Sequence, residues 1–213
     1  MFYGVSPGAG KTTLSEWLKN KLEHEGISTL WIEEHHVHKL DIFDEVVKVF
    51  THGSNDYETP LLDAAQILVA QYTNQATIVI TDSLFPSYTW LFTQDIQKAE
   101  ISAFSRKLAD VLAILGPLVV WLDGDVRTLI QRAITQRGED WLEGLIDSLN
   151  SYLYVPVRPV IGIDEVVSFF EEIRILQTEI FTEWPHNVLR LDVTNTPIQI
   201  LQQQLEYYLH TNQ

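Results

Sequence analysis

A run of glycine, lysine and threonine near the start of the chain has the composition of a phosphate-binding loop. It reads Ser6-Pro7-Gly8-Ala9-Gly10-Lys11-Thr12-Thr13 and lies between a short apolar run and a stretch of helical periodicity. Glycines let the backbone curl so that several N–H groups and the positive end of the next helix point into one concavity, which selects an anion. We therefore expect residues 8–13 to bind the phosphates of ATP, with Lys11 at the β- and γ-phosphates, the Thr12 hydroxyl on Mg²⁺ and Thr13 at the α-phosphate.

One position of this loop departs from the strict phosphate-loop pattern. The pattern asks for glycine five positions before Gly10, where this chain has Val5, and Gly4 comes one residue earlier. The first glycine mainly opens such a loop, whereas Gly8, Gly10 and Lys11 would form the cradle itself. Val5 therefore bears on the shape of the loop more than on its chemistry. The alternative is an ordinary strand-to-helix turn with incidental glycines.

Three carboxylates follow predicted strands and could act on a phosphoryl acceptor. Asp82 follows the strand at 77–81, and Glu33 and Glu34 follow the strand at 29–32. Ligand sites in parallel α/β proteins lie at the carboxyl ends of the strands, so these side chains should face the same crevice as the loop. Asp82 could hold Mg²⁺, accept the proton of the acceptor, or simply cap a helix. Glu33, favoured slightly, or Glu34 could be the general base, the alternative being a solvated strand end.

Arginines are concentrated in one helical stretch of a chain that has only 14 lysines and arginines. Phosphoryl transfer needs cations around the equatorial oxygens, which Arg127, Arg132 and Arg137 could supply from a lid at about residues 127–143. Steps of five residues rotate by about 140° on a straight helix. Arg132 and Arg137 can therefore converge only if the helix ends near Gly138. The alternative is surface ion pairs with nearby acidic residues, Glu139, Asp140 and Glu143.

Three histidines, His35, His36 and His38, follow the second predicted strand. Imidazole is a common metal ligand, but nothing elsewhere in the sequence supplies a paired ligand motif. Lining an acceptor pocket is the preferred interpretation of these residues.

Short apolar runs alternate with longer stretches of helical periodicity along the whole chain. The predicted strands are residues 2–5, 29–32, 77–81, 118–122 and 188–191. Each is apolar enough to be buried on both faces, which is typical of a parallel sheet covered by helices. The pattern predicts the α/β class, as a three-layer αβα sandwich with a five-stranded parallel sheet. A length of 213 residues suits a single domain over residues 1–213.

Composition limits the function and the compartment. The formal net charge of −15 disfavours nucleic acid as a partner, because general affinity for its phosphates comes from lysine and arginine. The chain has no cysteine, which excludes disulfides, thiolate nucleophiles and cysteine-ligated metals and favours a cytoplasmic setting. No signal-peptide pattern occurs, and no apolar run approaches the roughly 20 residues that span a bilayer, so no membrane partner is expected.

The order of these motifs resembles that of the thymidylate kinase and deoxynucleoside kinase group of P-loop kinases. Residues 31–34 end the second strand where that group presents acceptor-binding or catalytic groups, and 78–83 end the third strand where it carries an Asp-Arg or Glu-Arg pair. Residues 122–125 lead into a helix similar to its lid, and 191–194 look like its adenine-side loop. Ser83 stands where the group has arginine. The resemblance implies the P-loop nucleoside triphosphate hydrolase fold.

We interpret the sequence as a kinase that transfers the γ-phosphate of MgATP to a small acceptor, with a nucleoside or nucleotide as one candidate. The site residues would be Lys11, Asp82, Glu33, Arg132 and Arg137, with Thr12 and Asp82 on the metal. A regulatory NTPase and a catalytically degenerate nucleotide-binding module are the alternatives. Gly124 replaces the catalytic glutamate of a motor-type ATPase, and no Asn-Lys-x-Asp motif indicates a GTPase. A homodimer is allowed by this interpretation but not required.

Overall fold

A computed structural model describes residues 1–33, 39–52, 56–83, 88–151 and 159–211, with only the backbone of 50–52. Strands and helices alternate along it, so the α/β class is confirmed. Glu34, His35, His36 and His38 lie outside the described residues. Within the described ranges, no helix is both long and apolar enough to cross a membrane.

The strands occur where the sequence predicts them, with ends that differ by at most one residue. They are β1 Phe2–Gly4, β2 Ser28–Ile32, β3 Thr77–Thr81, β4 Leu118–Asp123 and β5 Asn187–Asp192. From Val119 to Asp123, β4 is buried throughout, as expected for a strand covered on both faces.

The helices of the described residues lie between and after these strands. They are α1 Lys11–His24, α2 Asp44–His52, α3 Glu58–Tyr72, α4 Tyr88–Thr93, α5 Lys98–Leu112, α6 Val126–Arg137, α7 Glu139–Asn150, α8 Ile163–Thr182 and α9 Ile198–Thr211. The spacing of apolar residues explains their orientation: α8 buries Val166, Phe170, Ile173 and Ile180, which recur at helical intervals.

All strand pairs of the described residues are parallel, but they do not form one continuous sheet. The larger sheet has three strands in the order β1-β4-β5, and β2 pairs with β3 in a second sheet. A single bridge between Phe2 and Asp82 connects the two. The prediction of a five-stranded sheet is therefore wrong in this respect, although the five strands and their parallel direction are confirmed.

The short length of β1 explains the divided sheet. β1 has three residues and pairs with β4 along all of them, and it meets the other sheet only through the bridge to Asp82, the residue after β3. Beside the rest of β3 lies a cavity of about 340 Å³ whose walls include Phe2, Ile78 and Val120. The bridge nevertheless sets β1, parallel to β3, beside Asp82, the residue that follows β3. Asp82 and the phosphate loop, which follow the carboxyl ends of the two strands, therefore lie at the same edge.

Candidate active site

The loop between β1 and α1 has the backbone of an anion cradle. Gly8 and Gly10 have positive φ angles of 82° and 85°, which glycine adopts without strain. Gly10 is the N-cap of α1, no side chain caps that end, and the first turn contains no acidic residue. The amide groups and the positive end of the helix dipole are therefore left for a ligand.

Gly4 explains how the loop forms without the expected first glycine. A Cβ atom on Gly4 would lie 2.8 Å from Ala9 Cβ and 2.9 Å from Lys11 Cγ. Val5, which occupies the expected position, is fully buried, and its N–H donates to Leu122 O at 3.2 Å. The close approach that the pattern assigns to its first glycine therefore occurs one residue earlier, at Gly4.

The two loop glycines should differ in how well they tolerate alanine. A Cβ atom on Gly8 would lie 2.2 Å from Leu129 O, whereas one on Gly10 would meet nothing within 4 Å. We expect Gly10→Ala to lower the free energy of unfolding by about 1–2 kcal/mol, the cost of a positive φ angle. Gly8→Ala should lower it further and weaken ATP binding, because α6 must move. Urea unfolding and ATP titration of both variants test this, and equal losses would contradict it.

Thr12 and Asp82 are in direct contact. Thr12 Oγ1 donates to Asp82 Oδ2 at 2.6 Å, and Asp82 is only 3% exposed. The N–H of Asp82 donates to Ile32 O at 2.9 Å, which fixes the residue at the junction of the two sheets. A hydroxyl and a carboxylate form an oxygen donor set of the kind that Mg²⁺ prefers, so these residues fit the metal predicted for them.

Two cavities meet at Lys11. The large cavity, of about 780 Å³, is lined by residues that include Gly8, Lys11, Thr12, Glu33, Asp82 and Thr194. The small cavity, of about 190 Å³, is lined by residues that include Tyr3, Ser6, Lys11, Ser83, Tyr88 and Gln177. Lys11 and Pro7 line both. The structure therefore places the predicted loop, Glu33 and Asp82 around one large cavity and adds a second cavity that the sequence did not reveal.

Arg132 lies at the large cavity, but its donors bind backbone carbonyls. Nη1 donates to Gly8 O at 3.2 Å, and Nη2 donates to Val193 O at 3.0 Å and to Thr194 O at 2.5 Å. The guanidinium therefore joins the phosphate loop to the loop after β5. In this arrangement Arg132 holds two walls of the cavity at a fixed separation.

Arg137 lies at the end of α6, and Gly138 follows with a φ angle of 91°. The helix thus ends near Gly138, which is the condition under which Arg132 and Arg137 can converge. Both arginines line the large cavity. The Arg137 guanidinium carbon lies 5.1 Å from the centroid of the Trp141 ring, a cation–π contact. Arg127 is directed elsewhere and pairs with Asp164 at 2.7 Å on the surface, rather than with the acidic residues considered from the sequence.

Asp123 has partners that the sequence did not indicate. Its carboxylate oxygens accept from Arg174 Nε at 2.7 Å and from Arg190 Nε at 2.9 Å. Burial acts to raise the pKa of this carboxyl, but the two guanidinium groups outweigh it and hold the pKa below its usual value. Asp123 therefore carries a charge that is already paired with two arginines.

Gln177 is a second residue that sequence patterning missed. It is buried on α8, accepts from Trp121 Nε1 at 3.1 Å and donates Nε2 to Gly4 O at 3.3 Å. These bonds tie α8 to β4 and to the start of the phosphate loop. The only signal in the sequence is a polar residue inside the apolar stripe of a helix.

The residues described here contain no group of three or more histidine, cysteine, aspartate or glutamate side chains that could hold a metal. His35, His36 and His38 are not among those residues. Their assignment to an acceptor pocket therefore stays a prediction.

No protein-family model and no curated protein sequence matches the chain. Solved structures resemble it over almost its full length. The deoxyadenosine kinase from M. mycoides with bound dATP has a TM-score of 0.53 at 15% identity, over 98% of this chain and 97% of that one. The same kinase with bound dCTP gives a TM-score of 0.47 at 15% identity, over 99% and 97%. Shikimate kinase from Acinetobacter baumannii with shikimate gives 0.47 at 17% identity, over 100% and 93%.

The first of these likenesses shows that the chain shares the fold of that deoxyadenosine kinase, in agreement with the resemblance found in the sequence. At 15% identity it shows the fold alone. What the site does has to be argued from its own residues.

Proposed function

We propose that the protein is a kinase that transfers the γ-phosphate of MgATP to a small hydroxylated or phosphorylated acceptor. The observation that carries this proposal is the position of Lys11 on both cavities. A cation between two adjoining cavities lies where a phosphoryl group would pass from a donor in one to an acceptor in the other. An enzyme that only hydrolysed its nucleotide would have no use for the second cavity.

On the donor side, the amide groups of the phosphate loop and the N-terminus of α1 would bind the phosphates, and Lys11 would follow the charge on the γ-phosphate. Thr12 and Asp82 would hold Mg²⁺, which when bound neutralises charge on the β- and γ-phosphates. Arg137 would approach the same phosphates from the mouth of the cavity. Arg132 would support this arrangement by keeping the phosphate loop and the loop after β5 together.

On the acceptor side, a carboxylate has to take up the proton of an acceptor hydroxyl. Asp82 and Glu33 are the described candidates, and both line the large cavity beside Lys11. Asp82 already accepts hydrogen bonds from Thr12 and Ser83, which favours it as a metal ligand. Glu33, directly after β2, is the second candidate for the base.

We also propose that residues 127–143 act as a lid within a single domain. The region joins α6 to α7 at Gly138, whose positive φ angle is a natural place for a change of direction. Movement there would shift α7, with Trp141, relative to Arg137 and the phosphate loop.

The proposal is tested by measuring ADP formation from MgATP against nucleosides, nucleoside monophosphates and small hydroxylated metabolites. We expect one acceptor class to raise the rate well above the rate without acceptor. Equal hydrolysis with and without every acceptor would favour a regulatory NTPase. Nucleotide binding without turnover would favour a degenerate module, a candidate suggested by Ser83 at the position where the resembled kinases have arginine.

A further inference from the structure

Ser83 has an unusual backbone for a residue with a side chain. Its φ angle is 59°, and among the described residues the only other non-glycine with a positive value is Asp95, at 58°. Such angles are disfavoured for residues other than glycine, and they persist at functional positions where the surroundings hold them in place. A glycine at this corner would remove the strain, yet the chain has serine.

The surroundings of Ser83 account for its conformation. Its N–H donates to Phe2 O at 3.1 Å, and the N–H of the preceding Asp82 donates to Ile32 O at 2.9 Å. These two bonds hold the corner at the single point where β3 meets β1. The backbone therefore fixes where the Ser83 side chain goes.

The Ser83 hydroxyl lies between the carboxylate and the small cavity. Oγ donates to Asp82 Oδ1 at 3.2 Å, and Ser83 also lines the small cavity with Lys11. A hydroxyl that donates its own proton to a carboxylate still has lone pairs with which to accept a hydrogen bond. Among the described lining residues of that cavity, Lys11 is the one charged side chain.

We propose that Ser83 binds the reacting hydroxyl group of the acceptor, and that this group enters the small cavity uncharged. The proposal rests on the kinase function proposed above and narrows its acceptor to a hydroxyl compound, as opposed to one that is phosphorylated on an existing phosphate. The acceptor hydroxyl donates to Ser83 Oγ, and this bond turns its oxygen lone pair toward the γ-phosphate beside Lys11. As that oxygen bonds to the γ-phosphorus and the bond to ADP breaks, Ser83 takes the acceptor proton and passes its own proton to Asp82 Oδ1. A second phosphate in this position would lack a cation of its own on the described walls.

Two substitutions separate the hydroxyl from the backbone strain. Ser83→Ala removes the hydroxyl and keeps the strained φ angle, whereas Ser83→Gly removes both. We expect kcat/KM for the acceptor to fall about 10- to 100-fold in both variants, the loss expected for one hydrogen bond to a reacting group. ATP affinity should stay within about twofold of the wild type, since the phosphate loop is untouched. Ser83→Gly should also have a higher Tm than the wild type.

Asp95→Gly is the matched control, because Asp95 is exposed, follows α4 and has nearly the same φ angle. It should raise the Tm and leave kcat/KM unchanged.

Wild-type kcat/KM in Ser83→Ala would overturn the proposal. An equal loss of ATP affinity in that variant would also overturn it, because it would assign Ser83 to the metal site. Turnover of nucleoside monophosphates but not of the matching nucleosides or other hydroxyl compounds would overturn it while leaving the kinase function intact. Wild-type protein without acceptor-dependent turnover would remove both proposals together.

Discussion

Lys11→Ala should lower the rate of acceptor phosphorylation by about 10³-fold if a phosphoryl group passes between the two cavities. Removal of a cation beside the transferring group has effects of this order. The side chain lies on both cavities, where it would follow the charge that develops in the transition state. No ion pair connects Lys11 to other described residues, so its loss should leave the Tm within about 2 °C of the wild type. Acceptor-dependent ADP formation and a thermal unfolding scan measure the two effects.

Lys19→Ala provides the control for this substitution. Lys19 lies on the same helix and forms an exposed ion pair with Glu23 at 3.1 Å, so the variant loses the same charge away from the site. It should keep wild-type turnover, because a surface ion pair of this kind contributes little to stability. If the two lysine variants were equally active, Lys11 could not have the role assigned to it.

The second large effect is expected for Asp82→Asn, which keeps the shape of the side chain and removes its charge. Asp82 is buried and contacts the Thr12 hydroxyl at 2.6 Å, so the amide would weaken the site for Mg²⁺ without opening a cavity. Turnover should fall about 10²- to 10³-fold, because a bound Mg²⁺ would supply several kcal/mol of charge stabilisation. The Mg²⁺ concentration for half-maximal rate should rise at the same time.

Glu33→Gln is the matched comparison, since Glu33 lines the same large cavity. If Glu33 is the base, this variant loses turnover while its Mg²⁺ requirement stays at the wild-type value. A normal Mg²⁺ requirement in Asp82→Asn, together with a raised one in Glu33→Gln, would make Glu33 the metal ligand and Asp82 the base.

Features encoded within a few residues could be predicted from the sequence. The strand bounds follow from short apolar runs, and the phosphate loop follows from Gly8, Gly10 and Lys11. The approach of Asp82 to Thr12 could be anticipated as well, because carboxyl ends of parallel strands gather at one edge of the structure. In each case local periodicity or a general rule of topology carries the information.

Features that depend on pairing between distant residues could not be predicted. The divided sheet reflects how far β1 extends along β3, which the composition of neither strand records. Arg174 and Arg190 lie far along the chain from Asp123, so their ion pairs appear only in the fold. The hydrogen bonds of Arg132 could not be predicted either, since its partners are backbone carbonyls, which carry no side-chain signal.

The start of the phosphate loop does not match the usual glycine spacing, yet it meets the steric requirement behind that spacing. A sequence pattern fixes a spacing, whereas the structure requires only that no Cβ atom occupies the space beside Ala9 and Lys11. Gly4 meets that requirement from one position earlier, and Val5 contributes a buried side chain and a backbone hydrogen bond. The departure at Val5 is therefore compatible with a working loop.

The proposed function requires that one phosphoryl group moves past Lys11 from the nucleotide to the acceptor. Its most direct test follows a radiolabelled γ-phosphate of ATP in the presence of Mg²⁺ and the acceptor that stimulates ADP formation. We expect the label to appear on the acceptor in proportion to the ADP formed, and to stay on ATP in Lys11→Ala. Release of all the label as inorganic phosphate would contradict transfer and leave a nucleotide hydrolase with the fold of a kinase.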